Sequence, residues 1–105
     1  MESYYIDDKG ISLTQFVSRI AELYFHALAK SNSADLLERD NANAYINKVK
    51  RAYDKLVFVE KLFINNDFFY QEYPEWWVQY YTKSTYYRIR NKSMNDFKEA
   101  FICED

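Results

Sequence analysis

Basic and amide side chains concentrate near the carboxyl end of the chain. Residues 83–95 hold four basic side chains and no acidic one, although the net charge of the whole chain is −2. Local positive charge attracts the phosphates of a polyanion. Arginine and asparagine can each make two hydrogen bonds to the edge of a base. The stretch therefore has the chemistry of a nucleic-acid contact.

A helix over residues 83–101 would separate these polar groups from an apolar face, at about 100° per residue. We expect the apolar side to pack on the rest of the molecule; it carries Tyr86, Ile89, Ser93, Phe97 and Ala100. The opposite side carries hydrogen-bonding residues, namely Ser84, Tyr87, Arg88, Asn91, Asn95 and Lys98. We expect base contacts from Arg88 and Asn91, assisted by Ser84 and Tyr87. Phosphate contacts are expected from Lys83, Arg90, Lys92 and Lys98.

Catalytic and metal-binding chemistry finds no support in the sequence. Cys103 is the single cysteine and His26 the single histidine, too few for a Cys/His zinc site or an internal disulfide. The single glycine, Gly10, cannot form a glycine-rich phosphate loop, and the serines have no candidate base. We therefore expect neither an enzyme nor a cofactor or metal.

The composition favours one small all-α domain. The 105 residues are 49% hydrophobic and 20% aromatic, and contain one glycine and one proline. So few turn-forming residues argue against β-sandwiches and barrels. No apolar run reaches the ~20 residues of a membrane span, and the first residues lack the pattern of a signal peptide. We expect a cytoplasmic protein without a membrane partner.

Helix signals divide the first two thirds of the chain. Ser12 followed by Gln15 matches a capping box, and apolar residues recur at helical spacing to Lys30, where residues 31–33 end the pattern. Residues 35–43 are predicted to form a short helical turn or a linker. Residues 44–64 are predicted to form one long helix that stops at residues 65–67.

The last third is predicted to hold two further helices. Pro74 suits the first position of a short helix over residues 74–80, and Thr82 can cap the last helix. We expect at least one of Trp76 and Trp77 to pack in the core; an exposed one would mark a protein contact rather than a base-stacking platform. The single domain 1–105 is thus predicted to comprise an N-terminal helix and linker, residues 1–43, and a functional unit, residues 44–101.

One segment of that unit is similar to a known family. The run TKSTYYRIRNKSMNDF, residues 82–97, resembles the Ser-x-Ser-Thr-Tyr-Tyr-Arg-Ile-Lys-Asn-x-Ala-x-x-x-Phe pattern of ArpU-type phage transcriptional regulators. The longer stretch of residues 44–101 resembles the C-terminal part of these regulators and, more distantly, the helix-turn-helix of sigma factor region 4. The resemblance implies a recognition helix over residues 83–97, a supporting helix over residues 75–80 and a scaffold helix over residues 44–64. Tyr80 stands where such families place the glycine of the turn, and Ser93 where they place alanine.

These features predict a sequence-specific transcriptional regulator that reads the major groove of double-stranded DNA. Specific sites commonly come from two-fold dimers, so we expect a homodimer or a larger partner, with the N-terminal helix available for that contact. Two alternatives stay open. One is a sigma-like factor associated with RNA polymerase, and the other is a helical protein-interaction module without DNA binding.

Overall fold

The computed structural model describes residues 4–104, and within them the fold is all-helical, as the composition predicted. The helices are α1, Leu13–Lys30; α2, Leu36–Asp54; α3, Phe58–Ile64; and α4, Lys83–Ile102. A π-helical turn, Asn65–Phe69, continues α3. The predicted parts that fall on residues 1–3 and on Asp105 lie outside the described residues.

Helix α1 begins and ends where its capping signals predicted. The Ser12 hydroxyl accepts from the Gln15 backbone N–H at 3.1 Å, and the Gln15 side chain accepts from the Ser12 N–H at 2.8 Å. This reciprocal pair satisfies two of the amide groups that the first turn leaves without helical partners. Ser31 follows the last residue and caps the carboxyl end.

The prediction of one helix over residues 44–64 is wrong in two respects: the helix begins earlier, and it is broken into α2 and α3. Its N-terminal half starts earlier, because Asp35 caps α2 by accepting from the N–H groups of Leu37 and Glu38. Residues 35–43, predicted as a short helical turn or a linker, are helical: they form the cap and first turns of α2. The helix then breaks after Asp54, and α3 restarts where the Val57 N–H donates to the Glu60 carboxylate at 3.2 Å.

The segment between α3 and α4 also differs from the prediction. The stop predicted at residues 65–67 is replaced by the π-helical turn, closed by the Tyr70 N–H donating to the Asn65 carbonyl at 2.8 Å. The helix predicted over residues 74–80 is absent: that stretch forms consecutive turns with mostly three-residue hydrogen-bond spacing. We call residues 70–82 the aromatic segment.

The core forms where α1, α2 and α4 pack together. Buried side chains of all three helices belong to one cluster, which includes Ile20, Val49 and Phe97. The predicted boundary after residue 43 lies inside α2, so α1 shares its core with the remainder. The apolar stripe of α1 is consumed within the monomer, and Phe25 and Leu28 are the large apolar side chains that it leaves exposed. Among the described residues no helix is long and apolar enough to span a bilayer.

Candidate nucleic-acid interface

Helix α4 begins at the predicted cap. The Thr82 hydroxyl accepts from the Thr85 backbone N–H at 3.2 Å, which fixes the start of the helix at Lys83. Its inward side carries Tyr86, Ser93 and Phe97 as expected, and Met94 is also buried there. Ser93 is fully buried and donates to the Ile89 carbonyl at 2.8 Å, so its small polar side chain needs no partner outside the helix.

The outward side of α4 is open to solvent over its first three turns. Exposed side chains there are Lys83, Ser84, Tyr87, Arg88, Asn91 and Asn95, which we call the α4 ridge. Lys83 and Arg88 make no ion pair with any residue between positions 4 and 104. The Asn95 amide donates to the Asn91 carbonyl at 3.0 Å along the helix. The ridge therefore presents two uncommitted cations, an uncommitted asparagine side chain and a serine hydroxyl on one surface.

Arg90, a predicted phosphate contact, lies on the inner flank of α4. Its Nε donates to the Asp67 carboxylate at 3.0 Å, and its guanidinium lies 4.9 Å from the centre of the Phe68 ring. Only 19% of its side chain is exposed. Arg90 thus contributes to the packing of α4 against the π-helical turn.

Lys92 and Lys98 reach solvent but have acidic neighbours. Lys92 Nζ lies 2.7 Å from Asp96 and 3.2 Å from the buried carboxylate of Glu60. Lys98 Nζ lies 3.7 Å from Asp8 and 4.6 Å from the centre of the Phe16 ring. A phosphate would have to compete with these carboxylates, which lowers what either lysine adds to binding.

The pKa values of the two acids around Lys92 shift in opposite directions. Burial raises the pKa of Glu60, with a further contribution from its hydrogen bond to Asp96. Hydrogen bonds from Glu60 and Lys92 lower the pKa of Asp96. Lys92 lies within reach of both carboxyl groups, and its hydrogen bonds lower the pKa of each.

Sequence reasoning missed the buried carboxylate that holds this end of the molecule together. Asp67 accepts from Trp76 Nε1 at 2.8 Å, from the Tyr86 hydroxyl and from Arg90 Nε. We call these four residues the Asp67 junction. The junction ties the π-helical turn to the aromatic segment and to α4. No local pattern could have revealed it, because its members lie up to 23 positions apart.

Aromatic stacking adds a second attachment at the start of α4. The Trp77 ring stacks on Tyr86 with centroids 4.1 Å apart, and the Tyr87 ring meets Tyr86 edge-on at 5.0 Å. Trp76 packs edge-on against Phe63 of α3 at 4.9 Å. Both tryptophans are half-buried, and both brace the helix that carries the α4 ridge.

No cluster of three or more histidine, cysteine or acidic residues that could hold a metal ion occurs in the described part of the chain. The chain matches no family model, curated protein or solved structure.

Proposed function

We propose that the protein binds double-stranded DNA through the α4 ridge and acts as a transcriptional regulator. The observation that carries the proposal is the open ridge itself, with Lys83 and Arg88 uncommitted and no acidic residue from position 83 to position 95. Over those residues the helix extends about 18 Å, enough to lie along a major groove about 12 Å wide.

The side chains divide into two roles under this proposal. Arg88 and Asn91, assisted by Ser84 and Tyr87, would read base edges, since they share the exposed side of α4. Lys83 would contact phosphate directly. Arg90, Lys92 and Lys98 would do so only by exchanging the carboxylates of Asp67, Asp96 and Asp8 for phosphates.

Selection from a randomised duplex pool tests the proposal without a known target site. The full chain should enrich a defined sequence, and Arg88→Ala should relax the preference at one position at a cost of about 1 to 3 kcal/mol. Lys50→Ala is the matched loss of one positive charge, because Lys50 is exposed on α2, away from the ridge. It should leave the selected sequence unchanged.

Salt dependence provides the second readout. Each neutralised phosphate contributes about −0.9 to the slope of log K against log salt. We expect a slope of about −1 if Lys83 alone contacts phosphate, and about −3 if Lys92 and Lys98 join it. Duplex binding that is absent at low salt, or equal in the wild type and Arg88→Ala, would refute a groove reader and leave the protein-interaction alternative.

The homodimer through α1 also stays a proposal. Because the apolar stripe of α1 is buried in the monomer, such a dimer would have to use Phe25 and Leu28. Sedimentation velocity with and without the selected duplex tests it, and a single copy per duplex would exclude it.

A further inference from the structure

The aromatic segment and α3 together form a second surface, separate from the α4 ridge. An open cleft of about 950 Å³ lies between them, lined by Leu62, Tyr73, Glu75, Trp76, Tyr80 and Tyr81, among others. Tyr73 and Tyr80 are 71% and 73% exposed, and neither packs into the core. Large aromatic side chains held around a cleft in this way are typical of a surface that a partner covers.

The polar groups of the cleft indicate the backbone conformation of that partner. No hydrogen bond within residues 4–104 uses the hydroxyls of Tyr73, Tyr80 or Tyr81. In a helical ligand the backbone carbonyls accept hydrogen bonds from the ligand's own N–H groups, so few of them are left to accept from these hydroxyls. An extended polyproline II segment has no internal hydrogen bonds, so its backbone carbonyls are free to accept. The proline rings of such a segment pack against aromatic side chains.

The charge of the cleft indicates which extended segments it would bind. Glu75 lines the cleft, Glu72 precedes it closely, and neither carboxylate forms an ion pair with any other described residue. Most acids elsewhere in the described chain, such as Asp67, Asp96 and Glu104, have cationic partners. The lining of the cleft includes no basic side chain. Unpaired carboxylates beside aromatic rings complement a lysine or arginine and repel the phosphates of a single-stranded nucleic acid.

We propose that this cleft binds an extended, proline-containing peptide segment of a partner protein that carries an arginine or lysine within one turn of its prolines. The tyrosine rings pack against the prolines, their hydroxyls donate to the peptide carbonyls, and Glu75 pairs with the basic side chain. None of the cleft residues belongs to the α4 ridge, so binding at the two surfaces can be tested with separate variants.

Binding to immobilised full-length protein tests the proposal with defined pools of twelve-residue peptides. One pool fixes Arg-x-x-Pro-x-x-Pro, a second replaces the arginine by glutamate, and a third is an amphipathic-helix pool without proline. We expect the first pool to be enriched at least tenfold on the wild type relative to Tyr80→Ala. Glu75→Lys should transfer the preference to the second pool.

Controls separate the cleft from exposed aromatic surface in general. Tyr70→Ala removes an exposed tyrosine outside the cleft and should keep the enrichment. Circular dichroism should show an unchanged fold for Tyr80→Ala, because that side chain is mostly exposed, and its duplex binding should stay within about twofold of the wild type. Failure of the peptide test therefore leaves the duplex test intact.

Three results would overturn the proposal. The first is equal enrichment on the wild type and Tyr80→Ala. The second is preferential capture of the amphipathic-helix pool. The third is binding of oligothymidine that Tyr80→Ala abolishes, which would make the cleft a single-strand platform instead.

Discussion

Removing the Asp67 carboxylate should destabilise the protein more than removing any surface charge. Only 8% of the Asp67 side chain is exposed, and Asp67→Ala would deprive Trp76, Tyr86 and Arg90 of their acceptor. Breaking one partner of a buried ion pair costs about 3 to 5 kcal/mol, because the remaining charge stays in a poorly solvated site. For a domain of this size that corresponds to a drop of about 12 to 20 °C in the melting temperature.

Urea unfolding followed by circular dichroism and tryptophan fluorescence measures this loss. Asp40→Ala is the matched control, since Asp40 is exposed on α2 and makes no ion pair with any described residue; it should change the free energy of unfolding by less than about 0.5 kcal/mol. In an Arg90→Met background the effect of Asp67→Ala should shrink by at least about 1 kcal/mol. A loss no larger than that of Asp40→Ala, or an unchanged loss in the Arg90→Met background, would show that the junction does not carry this stability.

Two further perturbations follow from burial. Burial raises the pKa of Tyr45, and burial together with the Asp67 hydrogen bond raises that of Tyr86. A raised pKa means that the folded state holds the proton more tightly, so this stability is present below the unfolded value of about 10 and is lost as the pH rises above it. Tyr45→Phe combined with Tyr86→Phe should therefore flatten the fall in unfolding free energy between about pH 9 and about pH 11; an unchanged fall would contradict this assignment. Phe97→Ala should cost about 3 to 5 kcal/mol, because Phe97 is fully buried. Phe58→Ala, at an 81% exposed site, should stay within about 0.5 kcal/mol; similar denaturation midpoints for the two variants would argue against this core.

The elements that the sequence predicted well are those whose ends carry local signals. Ser12 with Gln15 and Thr82 with Thr85 satisfy the first amides of α1 and α4 through side chains three residues away. Such short-range bonds are readable from residue types alone. The apolar periodicity of α4 likewise predicted which side turns inward, apart from Met94, which is also buried, and Lys98, which lies over the Phe16 ring.

The break between α2 and α3 could not be read in this way. Residues 55–57 contain no glycine, proline or asparagine, and the apolar face continues through them. What stops the helix is tertiary: Leu56 turns into the core, and the buried Glu60 accepts the Val57 N–H. A carboxylate that caps a helix start and also faces Lys92, 32 positions away, has no local sequence signature.

The missing helix over residues 74–80 has a similar cause. In a regular helix Trp76 and Trp77 would point about 100° apart. Here Trp76 reaches Asp67 and Phe63, while Trp77 stacks on Tyr86 of α4. Both rings thus pack in the same region, between α3, the π-helical turn and α4. A regular helix over residues 74–80 would not direct both rings there, and the backbone forms turns instead.

The Asp67 junction connects the two proposed surfaces. Comparing Arg88→Ala, Tyr80→Ala and Asp67→Ala therefore distinguishes an effect on one surface from an effect on both. Trp76 lines the peptide cleft, whereas Tyr86 and Arg90 lie at the base of the α4 ridge, and all three donate to the same carboxylate. Arg88→Ala removes a group from the ridge alone and Tyr80→Ala one from the cleft alone, so each should affect a single ligand. A change at Asp67 alters the support of both surfaces at once. Coupling between two binding sites requires an element that both sites bias. The junction is such an element, and the ring contact between Trp76 and Tyr86 lies beside it; a change in duplex affinity on peptide binding that disappears in Asp67→Ala would show that the junction links the two surfaces.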